Sequence, residues 1–64
     1  MKLKFHLRKY RDGWTAESRI RYRRKKVLIL SEGDTLDELI VDIGNAIRTY
    51  FGDRRITVEL VMDL

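Results

Sequence analysis

The chain has no cysteine, no proline and no glutamine, a single asparagine (Asn45) and four glycines among its 64 residues. Without cysteine there is neither a disulfide framework nor a thiolate metal site, which removes two of the usual supports of so small a domain. Association is the remaining one, so a homodimer or higher oligomer is expected. No apolar run approaches the roughly 20 residues that cross a bilayer. The N-terminal MKLKFHLRKY alternates cations with apolar residues where a signal peptide would carry an apolar block. A soluble, cytoplasmic protein without membrane contact is expected. A chain of this length buries only about 60% of the surface it exposes when unfolded. That allows one small core and a single domain over residues 1–64, and it excludes a multidomain enzyme.

Charge is what the sequence has in excess: Lys, Arg, Asp and Glu make up 38% of it, against roughly 25% in an average domain, a profile that leans towards thermophilic composition. The formal net charge of +4 conceals a division. Residues 1–26 hold eleven Lys and Arg against Asp12 and Glu17, whereas residues 27–64 hold three Arg against eight acids. The first half presents a basic surface.

The order of elements follows from periodicity. Leu3, Phe5 and Leu7 alternate with Lys2, Lys4, His6 and Arg8, the period of a strand with one buried face. Asp12-Gly13 then marks a hairpin turn, with glycine supplying the positive φ. From Trp14 the alternation resumes, with Ala16, Ser18, Ile20 and Tyr22 on one face and Thr15, Glu17, Arg19, Arg21 and Arg23 on the other. The four cations Arg23-Arg24-Lys25-Lys26 predict a second turn, and Val27-Leu28-Ile29-Leu30 a third strand ended by Ser31-Glu32-Gly33. Over residues 34–51 the period changes to that of a helix, with Leu36, Leu39, Ile40, Ile43, Ile47, Tyr50 and Phe51 on one stripe. Thr35 to Glu38 has capping-box spacing and Gly52 supplies the stop. Ile56, Val58, Leu60 and Met62, alternating with Thr57, Glu59, Val61 and Asp63, predict a fourth strand. The fold class is α+β: β-β-β-α-β, a four-stranded sheet with one helix packed on one face and the other face open. A right-handed crossover through the helix would set strand four parallel to an earlier strand, with strand one the candidate.

Catalytic chemistry finds little to work with. His6 has no second nitrogen ligand or carboxylate at metal-ligand spacing and no reason to meet a nucleophile such as Ser18, so it reads as a surface histidine. Gly33-Asp34 and Gly52-Asp53 are isolated turn dipeptides and not a phosphate loop. Asp37, Glu38 and Asp42 share a solvated helix flank. The sequence predicts no catalytic residue, no metal and no cofactor.

Two surfaces remain. Lys2, Lys4 and Arg8 should share a sheet face with Arg19, Arg21 and Arg23, joined by Arg24, Lys25 and Lys26 of the turn; such a surface suits nucleic-acid phosphates, with Tyr10, Trp14 or Tyr22 adding base stacking if exposed. The same cations also serve to keep an open sheet face and its edges soluble. Strand three is apolar on both sides, so Leu28 and Leu30, with the outward Val61, predict a patch covered by another chain, a second copy or a different protein; sheet twist hiding part of that patch is the alternative.

The stretch Asp12-Gly13-Trp14-Thr15-Ala16-Glu17, followed by Ser31-Glu32-Gly33-Asp34-Thr35-Leu36-Asp37-Glu38-Leu39 and the helix to Phe51, resembles HicB-like antitoxins over most of residues 1–52. Where that family carries a Pro-x-x-Pro-Gly segment, this chain has the basic run Arg19 to Lys26. The resemblance implies a partial ribonuclease-H-like β-β-β-α-β fold without catalytic carboxylates, corresponding to the N-terminal partner-binding module alone. It also implies a non-enzymatic role in which the module covers a small basic HicA-like toxin. Asp37, Glu38 and Asp42 would be the docking acids for such a partner. The sequence therefore carries two functional readings: a HicB-like interaction module, or a small basic protein that binds RNA or DNA.

Overall fold

The hairpin-rich N-terminal half folds as its alternation dictates. The structure, a computed structural model, describes residues 1–52 and 55–62. Strand β1 (Lys2–Tyr10) pairs antiparallel with β2 (Gly13–Tyr22), which pairs antiparallel with β3 (Lys25–Gly33). Helix α1 (Leu36–Phe51) then carries the chain across to β4 (Thr57–Met62), which lies parallel to β1. The sheet order is β3-β2-β1-β4, so the α+β fold agrees with the periodicity and the parallel last strand with the crossover rule. The Thr57 N–H donates to the Met1 carbonyl at 2.9 Å and so opens the parallel ladder. Asp63 lies outside the described residues.

Two turns differ from expectation. The first consists of Arg11-Asp12, and Gly13 is already the first residue of β2. Its φ is 156°, and a Cβ there would sit 2.8 Å from the Gly33 carbonyl oxygen, so glycine is required by a close approach between strands as well as by its backbone angle. The second turn is shorter than the four-cation run suggested: Tyr22 pairs with Lys25, leaving Arg23-Arg24 alone at the tip. Charge repulsion along Lys25-Lys26 does not prevent pairing, because neighbouring side chains in a strand point to opposite faces.

Helix α1 begins at a side-chain cap. Thr35 Oγ1 accepts from the Glu38 N–H at 3.2 Å, and the Glu38 carboxylate reaches back to the Asp34 N–H at 3.0 Å, one residue before the position a standard capping box serves. Gly52, at φ 68°, ends the helix and donates its N–H to the Arg48 carbonyl. The helix N-terminus presses onto β3 at Gly33, where a Cβ would meet the Leu39 nitrogen at 2.5 Å.

The core consists of Leu3, Phe5, Leu7, Ala16, Ile29, Leu39, Ile43 and Phe51, whose larger members contribute about 1.5–3 kcal/mol each. It is off-centre. Helix α1 packs over β3 and β2, and no helix Cα comes within 8 Å of a β1 or β4 Cα. The residues expected to form the inward face of β4 are therefore uncovered: Val58, Leu60 and Met62 are 36%, 43% and 48% exposed. Leu36, Ile40 and Tyr50 of the helix stripe are exposed too. Within the core, the hydroxyls of Ser18 and Ser31 are buried with no hydrogen-bond partner among the described residues.

Candidate functional site

The ladders fix what the open sheet face presents. Lys2, Lys4, His6 and Arg8 of β1 share it with Thr15, Glu17, Arg19 and Arg21 of β2, Lys26, Leu28, Leu30 and Glu32 of β3, and Thr57, Glu59 and Val61 of β4. Six of the nine cations singled out in the sequence thus lie on one face, opposed by Glu17, Glu32 and Glu59. Lys2 is tied to Glu59 by an ion pair of 3.3 Å.

Arg23 is not on that face. It belongs to the turn, with its guanidinium 5.2 Å from the centre of the Tyr22 ring. Lys25 pairs with Tyr22 and therefore points to the helix side. The shared basic face is real for Lys2, Lys4, Arg8, Arg19, Arg21 and Lys26, while Arg23 and Arg24 cap the hairpin and Lys25 turns behind it.

This hairpin end departs from local preference twice. Arg23 and Arg24 have φ of 52° and 65°, the left-handed pair that a two-residue hairpin turn demands and that Asn-Gly ordinarily fills. Each non-glycine residue there costs about 1 kcal/mol or more. Immediately inside the turn, Arg21 sits opposite Lys26, a like-charged cross-strand pair that is destabilising. Among the described residues, none of Arg21, Arg23, Arg24, Lys25 and Lys26 has a carboxylate within 4.0 Å.

The aromatic side chains do not join this cluster as stacking platforms. The Tyr22 ring meets Phe51 edge to face at 4.8 Å and carries Arg23 on it. Trp14 is half-buried against the core beneath Lys9, whose ammonium is 5.6 Å from its centre. Tyr10 is exposed, but it lies beside Gly13 at the far end of β2, eight residues or about 26 Å along the strand from Arg21. There it borders an open depression of about 590 Å³ together with Arg8, Thr15, Glu17, Leu30, Glu32 and Asp42.

The expected apolar patch is likewise divided. Leu28 and Leu30 are 47% and 64% exposed on β3; Val61 is half-buried on β4, at the opposite edge. One row across the sheet reads Leu30, Glu17, His6, Val61. Three strand spacings, about 14 Å, and two polar side chains therefore separate Leu30 from Val61. Leu28 and Leu30 form an edge feature by themselves.

The three helix acids also have different surroundings. Asp42 Oδ2 accepts from the Glu32 N–H at 3.1 Å, and Glu38 is committed to the Asp34 N–H. Asp37 is exposed in the first turn. The β1–β2 turn, the end of β3 and the start of α1 gather Asp12, Glu32, Asp34, Asp37, Glu38 and Asp42 at one end of a molecule 36 Å long, opposite the basic hairpin. Arg8, Lys9 and Arg11 lie at this end too, so it is the excess of acids over cations, and not the division by sequence half, that follows the long axis.

No group of three or more His, Asp or Glu among the described residues stands where it could hold a metal ion, and no described helix is long and apolar enough to cross a membrane. Comparison with protein-family models, curated proteins and solved structures returns no match.

Proposed function

We propose that the protein is a non-enzymatic binding module whose β2–β3 hairpin and adjoining sheet face bind the phosphate backbone of a nucleic acid. The observation that carries this reading is the Arg23-Arg24 turn. Two arginines occupy left-handed backbone positions that suit Asn-Gly, beside the opposed Arg21 and Lys26, so charge is concentrated where it costs stability. Strain retained in this way is a mark of function. Arginine supplies forked donors that match phosphate oxygens, and Lys4, Arg19 and Arg21 continue the positive surface along the sheet. With Tyr10 distant from the tip, backbone contacts dominate and little sequence preference is expected.

The test is binding of labelled single- and double-stranded oligonucleotides across a salt series. Affinity should fall steeply with salt, and replacing Arg21, Arg23 and Arg24 by Ser should flatten the log–log slope by about 2–3. Absence of binding at low salt, or a slope unchanged by the triple replacement, would refute the reading.

A second reading, the HicB-like module that covers a small toxin-like protein, is supported by the element order β-β-β-α-β and by the apolar residues left uncovered on α1 and β4. On this reading the partner would meet Ile40, Val58, Leu60 and Met62 sooner than Asp42 and Glu38, which already serve the chain's own backbone. Capture of one small protein that survives nuclease treatment, and its loss on Leu60→Asp replacement, would favour it over the first.

A further inference from the structure

We propose that the chain forms a two-fold dimer by antiparallel pairing of β3 with β3 of a second copy, in the register that sets Leu28 of one chain opposite Leu30 of the other. This inference is independent of the nucleic-acid reading.

Strand β3 is at the edge of the sheet. The Glu32 N–H faces outward, since Asp42 of the helix accepts it. Backbone groups alternate along an antiparallel strand, so the N–H and C=O of Lys26, Leu28 and Leu30 face outward as well. The edge between Lys26 and Leu30 holds no proline, and among the described residues no bulge or covering segment blocks it; the side chains above those outward groups are the two most exposed of the apolar run.

The strand is also complementary to itself. On the open face β3 reads Lys26, Leu28, Leu30, Glu32. Placing the symmetry axis at Ile29 brings Leu28 opposite Leu30 twice, giving a four-leucine cluster, and brings Lys26 opposite Glu32 twice, closing it at both ends with opposite charges. Leu28 and Leu30 of the two chains exchange four backbone hydrogen bonds. The ladder stops at Glu32, whose N–H is already held by Asp42. On the helix side, Lys25 of each copy falls opposite Gly33 of the other, near the Asp42 and Glu38 carboxylates that cap the chain there. At the scale of the whole molecule, the antiparallel arrangement sets the basic end of one copy beside the acidic end of the other. Strand β4, the other edge, offers no such pattern: its apolar row faces the helix side, and Glu59 is already paired with Lys2.

Sedimentation equilibrium of the full chain up to about 100 μM should show a dimer with micromolar Kd. Leu30→Lys, at an exposed position that leaves the circular dichroism unchanged, should weaken it at least tenfold. Lys26→Glu and Glu32→Lys should each weaken it, and the two together should restore it, because the pair is reciprocal across the axis. The chain has no cysteine of its own, so the register can be read directly. A mixture of Leu28→Cys and Leu30→Cys chains should cross-link into a mixed dimer, at a Cα separation of about 5.5 Å. Neither should cross-link with itself, since like positions are diagonal neighbours about 7–8 Å apart, beyond disulfide reach. A monomer throughout the range, a dimer indifferent to Leu30→Lys, or self-cross-linking in place of mixed cross-linking would each overturn the proposal.

Discussion

The Asp42 carboxylate holds the Glu32 N–H at 3.1 Å, tying helix α1 to the outer edge of β3. Ile40 is two residues, or about 200°, away around the helix. With Asp42 fixed at the β3 edge, Ile40 projects from the opposite flank, towards β1 and β4. That is why one flank of α1 is bonded while the other is apolar and exposed.

Removing this tie should be measurable. Asp42→Ala should lower stability by about 1 kcal/mol, the usual cost of a charge-assisted hydrogen bond at a partly solvated site. Asp42→Asn keeps an acceptor and should lose less. Urea midpoints of the two variants, in that order below the parent, are the expected result; equal losses would mean that charge and not the hydrogen bond matters.

The Arg23-Arg24 turn should trade stability against binding. Replacing it by Asn-Gly relieves two left-handed arginines and should raise stability by about 1–2 kcal/mol, or several degrees in melting temperature for a domain of this size. The same variant should bind oligonucleotides more weakly. A turn that is neither stabilised nor weakened in binding would contradict the functional reading of the strain.

Two glycines should respond in opposite directions to the same substitution. Gly33→Ala puts a methyl group 2.5 Å from the Leu39 nitrogen and should cost about 3 kcal/mol, because the rigid helix start cannot move away without breaking its cap. Gly44→Ala meets nothing within 4 Å on an exposed helix position and should stabilise by about 0.5–1 kcal/mol. Denaturation curves would settle both signs.

Ser18→Ala should leave the fold at least as stable as before. The hydroxyl is fully buried and has no partner among the described residues, so its removal relieves a desolvation cost of about 1 kcal/mol while opening little space. A clear loss of stability would instead reveal a hydrogen bond made by that oxygen.

The strands were legible because Leu3, Phe5 and Leu7, and Ala16 and Ser18, alternate strictly, and the helix because Thr35 and Gly52 bracket a 3.6-residue period. The tip of the second hairpin was less legible, since four consecutive cations look like a loop; only their alternation across a ladder shows that Lys25 and Lys26 belong to β3. Arg23 shows the same limit: counting by twos carries it onto the open face, whereas the ladder ends at Tyr22 and leaves it in the turn. The edge position of β3 was invisible in the run from Val27 to Leu30, because a strand apolar on both faces reads alike at the centre and the edge of a sheet.

Local pattern by itself determined the element order, the buried residues of β1, the cap of the helix and the existence of a basic hairpin, all of which depend on spacing along the chain. Tertiary structure alone decided the rest. Seating α1 over β3 and β2 left Val58, Leu60 and Met62 uncovered, and the sheet order put Leu30 and Val61 at opposite edges. Antiparallel folding gathered Asp12 of the first turn with Glu32, Asp34, Asp37, Glu38 and Asp42 at the end opposite the Arg23-Arg24 turn. These outcomes depend on which strands become neighbours and where the helix is seated, and the alternation of a single strand carries no information about either.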